Sequence, residues 1–378
     1  MTFTIIRKGD FYMKKRVLTT ALSAAFVLSL TAVNGLAVNA AAEETAETTE
    51  EAGGAQEETA EETGGTQEET AEETGNTSEE TTDGEASDTI TITSLNAGGE
   101  EIELEVPYDP QRTAILDMAC LDTLDSLGVG DRVVGSASTS LEYLQDYVTD
   151  EEIINLGTIK EADMEAVMEC EPDVIFIGGR LSSVYDDLSE IAPVVYLSTD
   201  TETGVVESVR KNASAIAAMF GLEEKVEELM AGFDERIGAL ADFAEGKNAI
   251  VGMCTSGSFN VLGEDGRCSI ISKEIGFENV GVDADIDTAT HGNEASFEFI
   301  VEKNPEYIFV MDRDTAIGTE GAQLAQDIME NELVMGTDAY QNGQIVYLEH
   351  PAVWYTAEGG VQALDVMLQD LEGALLTE

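Results

Sequence analysis

EAVMECEPDVIFIGGR, Glu165–Arg180, returns in register as EFIVEKNPEYIFVMDR, Glu298–Arg313. In both copies Glu leads and Pro follows seven residues later. An acid comes next, then an apolar run containing an aromatic, then Arg eight residues after the Pro. Each copy reads as half of an α/β unit. An amphipathic helix is stopped by Pro, and a short β-branched run forms a buried parallel strand. The Arg falls just past the carboxyl end of that strand, where open α/β sheets bind ligands. Two copies 133 residues apart predict two similar lobes, each aiming one arginine at a shared cleft.

The flanking sequence extends this pattern in both directions. Thr89–Thr93 and Ile102–Val106 alternate apolar and polar around Asn96-Ala97-Gly98-Gly99, which predicts a hairpin. From Arg112 short apolar strands alternate with helices, as in a small α/β lobe spanning residues 89–202. Thr203–Phe220 runs helical until Gly221 and predicts a stiff connector over 203–221. Leu222–Ala244 is a second amphipathic helix. Strands then resume at Ala249–Met253, Phe259–Leu262, Tyr307–Met311 and Ile345–Leu348, and a last helix starts at Val361, giving a second α/β lobe over 222–378.

Two segments precede the lobes. Met13-Lys14-Lys15-Arg16 opens a charged n-region, an apolar stretch runs from Val17 to about Val33, and Val38-Asn39-Ala40 fits a small-residue cleavage site. Residues 1–40 therefore read as a secretory signal, with Met13 a candidate start and an uncleaved anchor helix as the alternative. Residues 41–88 hold no Lys, Arg or aromatic residue, are rich in acids, and repeat QEETAEETG at Gln56 and Gln67. Such a segment buries too little apolar surface to offset its ordering entropy, and it reads as a disordered acidic tether.

The whole chain has 378 residues and a formal net charge of −59. That balance argues against nucleic-acid binding, which needs a basic footprint. The four cysteines form no CxxC pair. Cys120 and Cys170 read as small core residues, and a Cys254–Cys268 disulfide is open to an exported protein. No nucleophile elbow, Walker loop, GxGxxG or HExxH is present, so no enzyme is expected.

Seven arginines follow the signal segment, and three lie just after apolar strands: Arg180, Arg267 and Arg313. Guanidinium groups suit flat, delocalised anions through forked hydrogen bonds and stacking. Arg210 and Arg236 read as ordinary paired surface charges. The two histidines are His291 and His350. His291 and Tyr355 fall in loops expected at the cleft. Phenolate is a hard ligand suited to Fe(III), and imidazole also suits iron. Taken singly, a turn-capping histidine and a packed tyrosine are the plainer reading. Trp354, beside Tyr355, is expected to contact ligand.

From about Thr89 onward the chain resembles the substrate-binding proteins of iron–siderophore ABC importers, nearest the branch that binds ferric catecholates of petrobactin and enterobactin type. The matching stretches are LDTLDSLGVGDRVVG at Leu121, PDVIFIGGR at Pro172, THGNEASFE at Thr290, NPEYIFVMDRD at Asn304 and PAVWYTAEGG at Pro351. The resemblance implies a class III, helical-backbone fold, with two Rossmann-like α/β lobes joined by a long helix and ligand held between them. It implies that Arg180, Arg267 and Arg313 bind the anion. It further implies that His291 and Tyr355 ligate the iron of a siderophore that leaves two positions open. Glu165 and Glu298 would dock onto a membrane permease that works with an ATPase. Fe(III) would come with the ligand, without an intrinsic cofactor, to a monomer exported to the extracellular face of the membrane or the periplasm. Gram-positive relatives carry a lipidated Cys after the signal, whereas no Cys precedes Cys120 here. A haem or cobalamin carrier on the same fold is the first rival, and a surface interaction protein working through its tether is the second.

Overall fold

Both copies of the repeat build the same helix–turn–strand unit in the computed structural model, which describes residues 88–200, 203–282 and 292–377. The expected signal, the tether up to residue 87, residues 201 and 202 of the expected first lobe, and His291 lie outside the described residues.

The first lobe begins with a hairpin, β1 (Thr89–Leu95) and β2 (Glu101–Pro107), paired antiparallel. There follow β3 (Thr113–Ile115), α1 (Met118–Leu127), β4 (Val133–Ser136), β5 (Ile154–Asn155), α2 (Met164–Glu169), β6 (Val174–Ile177) and β7 (Val194–Tyr196). Its five-stranded sheet has the order β5-β4-β3-β6-β7 and is parallel throughout. Strand β6 is wholly buried, as a parallel strand covered on both faces should be.

Two helices lead out of this lobe: α3 (Val205–Phe220) and α4 (Glu223–Ala244). The break between them is Gly221, left-handed at φ 65, a conformation that glycine adopts without steric cost. Helix α3 packs on α1 and β1, so it lies against the first lobe, and α4 leads on to the second sheet. With 22 residues, α4 reaches about 33 Å at 1.5 Å per residue.

The second lobe contains β8 (Asn248–Thr255), β9 (Ser258–Val261), β10 (Glu278–Asn279), β11 (Asn293–Glu294), α5 (Phe297–Lys303), β12 (Tyr307–Asp312) and β13 (Ile345–Tyr347). The six-stranded sheet runs β11-β9-β8-β12-β13, with β10 also paired to β8. Its centre is parallel, while β9 turns back antiparallel on β8. The chain ends in α6 (Pro351–Thr356) and α7 (Val361–Leu375).

The repeat holds at the level of single hydrogen bonds. Asp163 caps α2 and Ser296 caps α5, each by a side chain accepting backbone N–H groups. The residue before each proline is left-handed, Glu171 at φ 45 and Asn304 at φ 41. Proline disfavours right-handed helix in the residue ahead of it, so the helix ends there in both copies. The acid after each proline ties in the start of the neighbouring strand. Asp173 accepts from the N–H groups of Gln111 and Arg112 at 2.8 and 2.9 Å, and Glu306 accepts from Asn248 N at 3.0 Å.

Helix α7 departs from the expected grouping with the second lobe, because it packs against α1 of the first. At that contact stands Asp122 on α1, which is fully buried. Its carboxylate accepts from Gln362 N at 2.7 Å and Ala363 N at 2.9 Å, capping α7 from outside the helix. Tyr143 donates to the same group at 2.6 Å. All four cysteines are buried and free, so the Cys254–Cys268 bridge is not formed. No helix among the described residues is long and apolar enough to cross a membrane.

Candidate ligand-binding site

Strand β6 ends in Gly178-Gly179-Arg180, and strand β12 runs into Arg313. The glycine matters at 178, where an added Cβ would lie 2.2 Å from Oδ2 of Asp117. Between the lobes lies a cavity of about 410 Å³. Asp117, Arg180 and Thr199 line it from the first lobe, and Arg267, Tyr355 and Glu358 from the other side.

Tyr355 is the centre of this arrangement. It sits on α6, 9% exposed. The Arg267 guanidinium carbon lies 4.1 Å from its ring centroid, and that of Arg313 lies 5.4 Å away. Arg313 Nε donates to the Tyr355 hydroxyl at 3.0 Å, and Arg267 donates to the Tyr355 carbonyl at 2.5 Å. Arg313 is itself held by Thr255 and by the buried Asp314. Two cations thus clasp one phenol ring, a pairing favoured by the ring quadrupole. Arg267 Nε is buried without a hydrogen-bond partner. Arg180 is exposed at the cavity and has no hydrogen-bond partner among the described residues.

Two carboxyl groups share the cavity with these cations. Glu358 accepts from Cys268 N at 2.8 Å. Burial raises it to about 7, against the opposing pull of Arg267 and that hydrogen bond. Burial likewise raises Asp117, offset by N–H donation from Cys120 and Ala119 and by Arg180. Burial pulls Arg267 down, partly countered by Glu358. Desolvation therefore favours the neutral form of both acids. The cavity keeps a cationic character inside a strongly acidic chain.

The structure brings Arg180, Arg267, Arg313 and Tyr355 together. The expected controls are paired elsewhere, Arg210 with Glu207 and Asp234, and Arg236 with Asp365 and Glu372. Trp354 requires a correction. It is fully buried and does not line the cavity, because its indole N–H donates to Asp370 at 2.8 Å. On a helix, adjacent residues point to different sides, so Tyr355 faces the cleft while Trp354 anchors α6 to α7. Glu165 and Glu298 are exposed in the first turns of α2 and α5, outside the cavity.

Sequence reasoning missed Asp117 and Glu358. A signal existed for each: Asp117 stands between a strand end and a helix start, and Glu358 lies within the quoted WYTAEGG stretch. Glu349, His350 and Asp370 place ligand atoms within 4.8 Å of one another. Both Asp370 oxygens are already engaged, by His350 Nδ1 at 2.6 Å and by the His350 and Trp354 N–H groups. Asp370 therefore clamps the start of α6 through His350 and Trp354 rather than offering an open metal site.

Comparison with known proteins agrees with this geometry. The periplasmic binding protein family model matches residues 114–352. The petrobactin-binding protein YclQ of Bacillus subtilis (strain 168) is 34% identical over 273 residues, covering 72% of this chain and 84% of the relative. Its crystal structure matches with a TM-score of 0.70 and 33% identity, over 76% of this chain and 100% of that one. The periplasmic catecholate-siderophore binding protein VctP of Vibrio cholerae matches with a TM-score of 0.68 and 30% identity, over 75% and 100%. The ferric-anguibactin-binding protein FatB of Vibrio anguillarum is 27% identical over 270 residues, 69% of this chain and 81% of the relative. By fold, cleft and sequence, the chain belongs to the periplasmic binding protein family.

Proposed function

We propose that this protein is the solute-binding component of an ABC importer, which captures a ferric catecholate siderophore between its lobes and delivers it to a membrane permease and its ATPase. The observation that carries the reading is the clasp of Arg267 and Arg313 on Tyr355, with Arg180 at the same cavity. A ferric catecholate is a flat-ringed anion that presents delocalised charge. Guanidinium groups answer that charge, and a phenol oxygen is a hard donor for Fe(III). The named specificities of YclQ, VctP and FatB support the same ligand class.

In this reading iron is cargo, carried in by the siderophore, and the protein performs no reaction on it. Tyr355 supplies one donor to iron, and His291 the second, when the siderophore leaves two positions open. Glu165 and Glu298 dock the loaded protein onto the permease. The protein acts as a monomer outside the cell membrane, at its extracellular face or in the periplasm.

One binding panel tests the proposal. The purified protein is titrated with a four-donor ferric catecholate, a six-donor ferric catecholate, haem and cobalamin, following Trp354 emission and the visible charge-transfer band. The ferric catecholates should bind and the other two should not. Replacing both His291 and Tyr355 should weaken the four-donor complex most and shift its visible band. Equal losses for both ferric ligands, with an unmoved band, would count against direct ligation. Preferred binding of haem or cobalamin would overturn the ligand class.

A further inference from the structure

The repeat carries a surface feature beyond the two glutamates. Eight large apolar side chains are exposed among the described residues, and two of them are repeat mates: Met168 at 53% and Val301 at 41%. They lie 133 residues apart, the same offset as Glu165 and Glu298. Each stands three residues after its glutamate, on the same helix face, and a second exposed acid follows at Glu169 and Glu302. The side chain of none of the six makes a hydrogen bond or ion pair among the described residues. Both helices have matched caps and matched strands behind them, so each lobe shows one apolar knob between two free carboxylates. Isolated exposed apolar residues are ordinary. The same knob at the same repeat position in both lobes is what a partner with two equivalent sockets would require.

We propose that Met168 and Val301 are the apolar centres of a two-point docking surface for the permease. Each knob enters an apolar recess rimmed by basic side chains on one of two equivalent permease halves. The inference rests on the importer reading and adds the residues that would provide most of the buried area. Charge attracts and orients such a partner at long range, whereas a desolvated apolar contact slows dissociation.

The test uses the protein's permease–ATPase complex in proteoliposomes, with ATPase stimulation read against the concentration of ligand-loaded binding protein. Met168→Asp with Val301→Asp should raise the half-stimulating concentration about tenfold or more, and each single change should raise it less. Met168→Leu should restore the wild-type curve. Ligand affinity and melting temperature should not move in any of these variants. Leu324→Asp, an exposed apolar position outside the repeat, should behave as wild type. A double variant that stimulates at the wild-type concentration overturns the knobs, while leaving the importer reading intact if Glu165→Ala with Glu298→Ala still fails. Wild-type protein that never stimulates the complex overturns both. Sedimentation showing a wild-type dimer that the double variant dissolves would assign the surface to self-association and also overturn the proposal.

Discussion

Arg180 and Arg267 line the cavity, and Arg313, though paired with Asp314, donates to the Tyr355 hydroxyl beside it. Arg210 and Arg236 have carboxylate partners, so removing either should leave ligand affinity near its wild-type value. Replacing Arg180 or Arg267, which line the cavity, or Arg313, which holds Tyr355, by Ala should weaken binding of an anionic ferric complex by about 1–3 kcal/mol, the scale of a charge-assisted hydrogen bond. Isothermal titration of the five variants checks this, and equal losses across all five would refute the assignment. Glu358 supplies a separate residue-scale prediction. Its carboxyl has an ordinary value of 4.5 and is held at about 7 by burial. Between these values the folded protein keeps a proton that the unfolded chain releases. The resulting stabilisation is full below about pH 4.5 and is lost as pH rises through about 7. Glu358→Gln stays neutral throughout, so it should gain on wild type by roughly 2–3 kcal/mol between pH 5 and pH 8. Thermal unfolding at the two pH values measures the difference, and a gap independent of pH would contradict it. Neither Glu358 nor Asp117 was singled out from sequence, because an acid beside arginines on an acidic chain looks like any surface acid until burial is known.

At the scale of elements, the strands and most helices were legible because their periods are local. Wholly apolar runs of four and five residues gave β6 and most of β12, and the prolines after α2 and α5 fixed where those helices stop. The connector was also read as a helix, but its packing was not legible. Helix α3 lies on the first lobe, and α4 carries the chain across. The start of α7 is capped by one buried carboxylate 240 residues earlier. Its own N-terminal residue, Gly360, offers no side-chain cap, and Asp122 does that work from α1. Asp122→Ala strips two N–H groups and the Tyr143 hydroxyl of their acceptor in a dry site. It should cost about 2–4 kcal/mol of stability, combining the lost cap with the unsatisfied donors. Denaturant unfolding reads the loss. An Asp122→Ala protein as stable as wild type would show that apolar packing alone seats α7.

For the whole molecule, charge and binding are separable. Residues 41–88 carry 18 acids and no base, a block of charge ahead of the first lobe, while the cavity is built from residue 117 onward. Removing residues 41–88 should therefore leave affinity for the ferric complex within about twofold at ordinary ionic strength, where charges beyond a Debye length are screened. A large loss would transfer the function to the acidic segment. By itself the sequence determined the fold class, the doubled architecture and the strand-end positions of Arg180 and Arg313, because helix stops, buried strands and strand-end arginines are written within about sixteen residues of one another. Only the tertiary structure decided that Tyr355 is clasped by Arg267 and Arg313 and that Trp354 turns inward to Asp370. It alone showed that Asp117 and Glu358 share the cavity and that Met168 and Val301 stand out on matched faces. These facts depend on desolvation and on contacts between residues far apart in the chain, which no local pattern encodes.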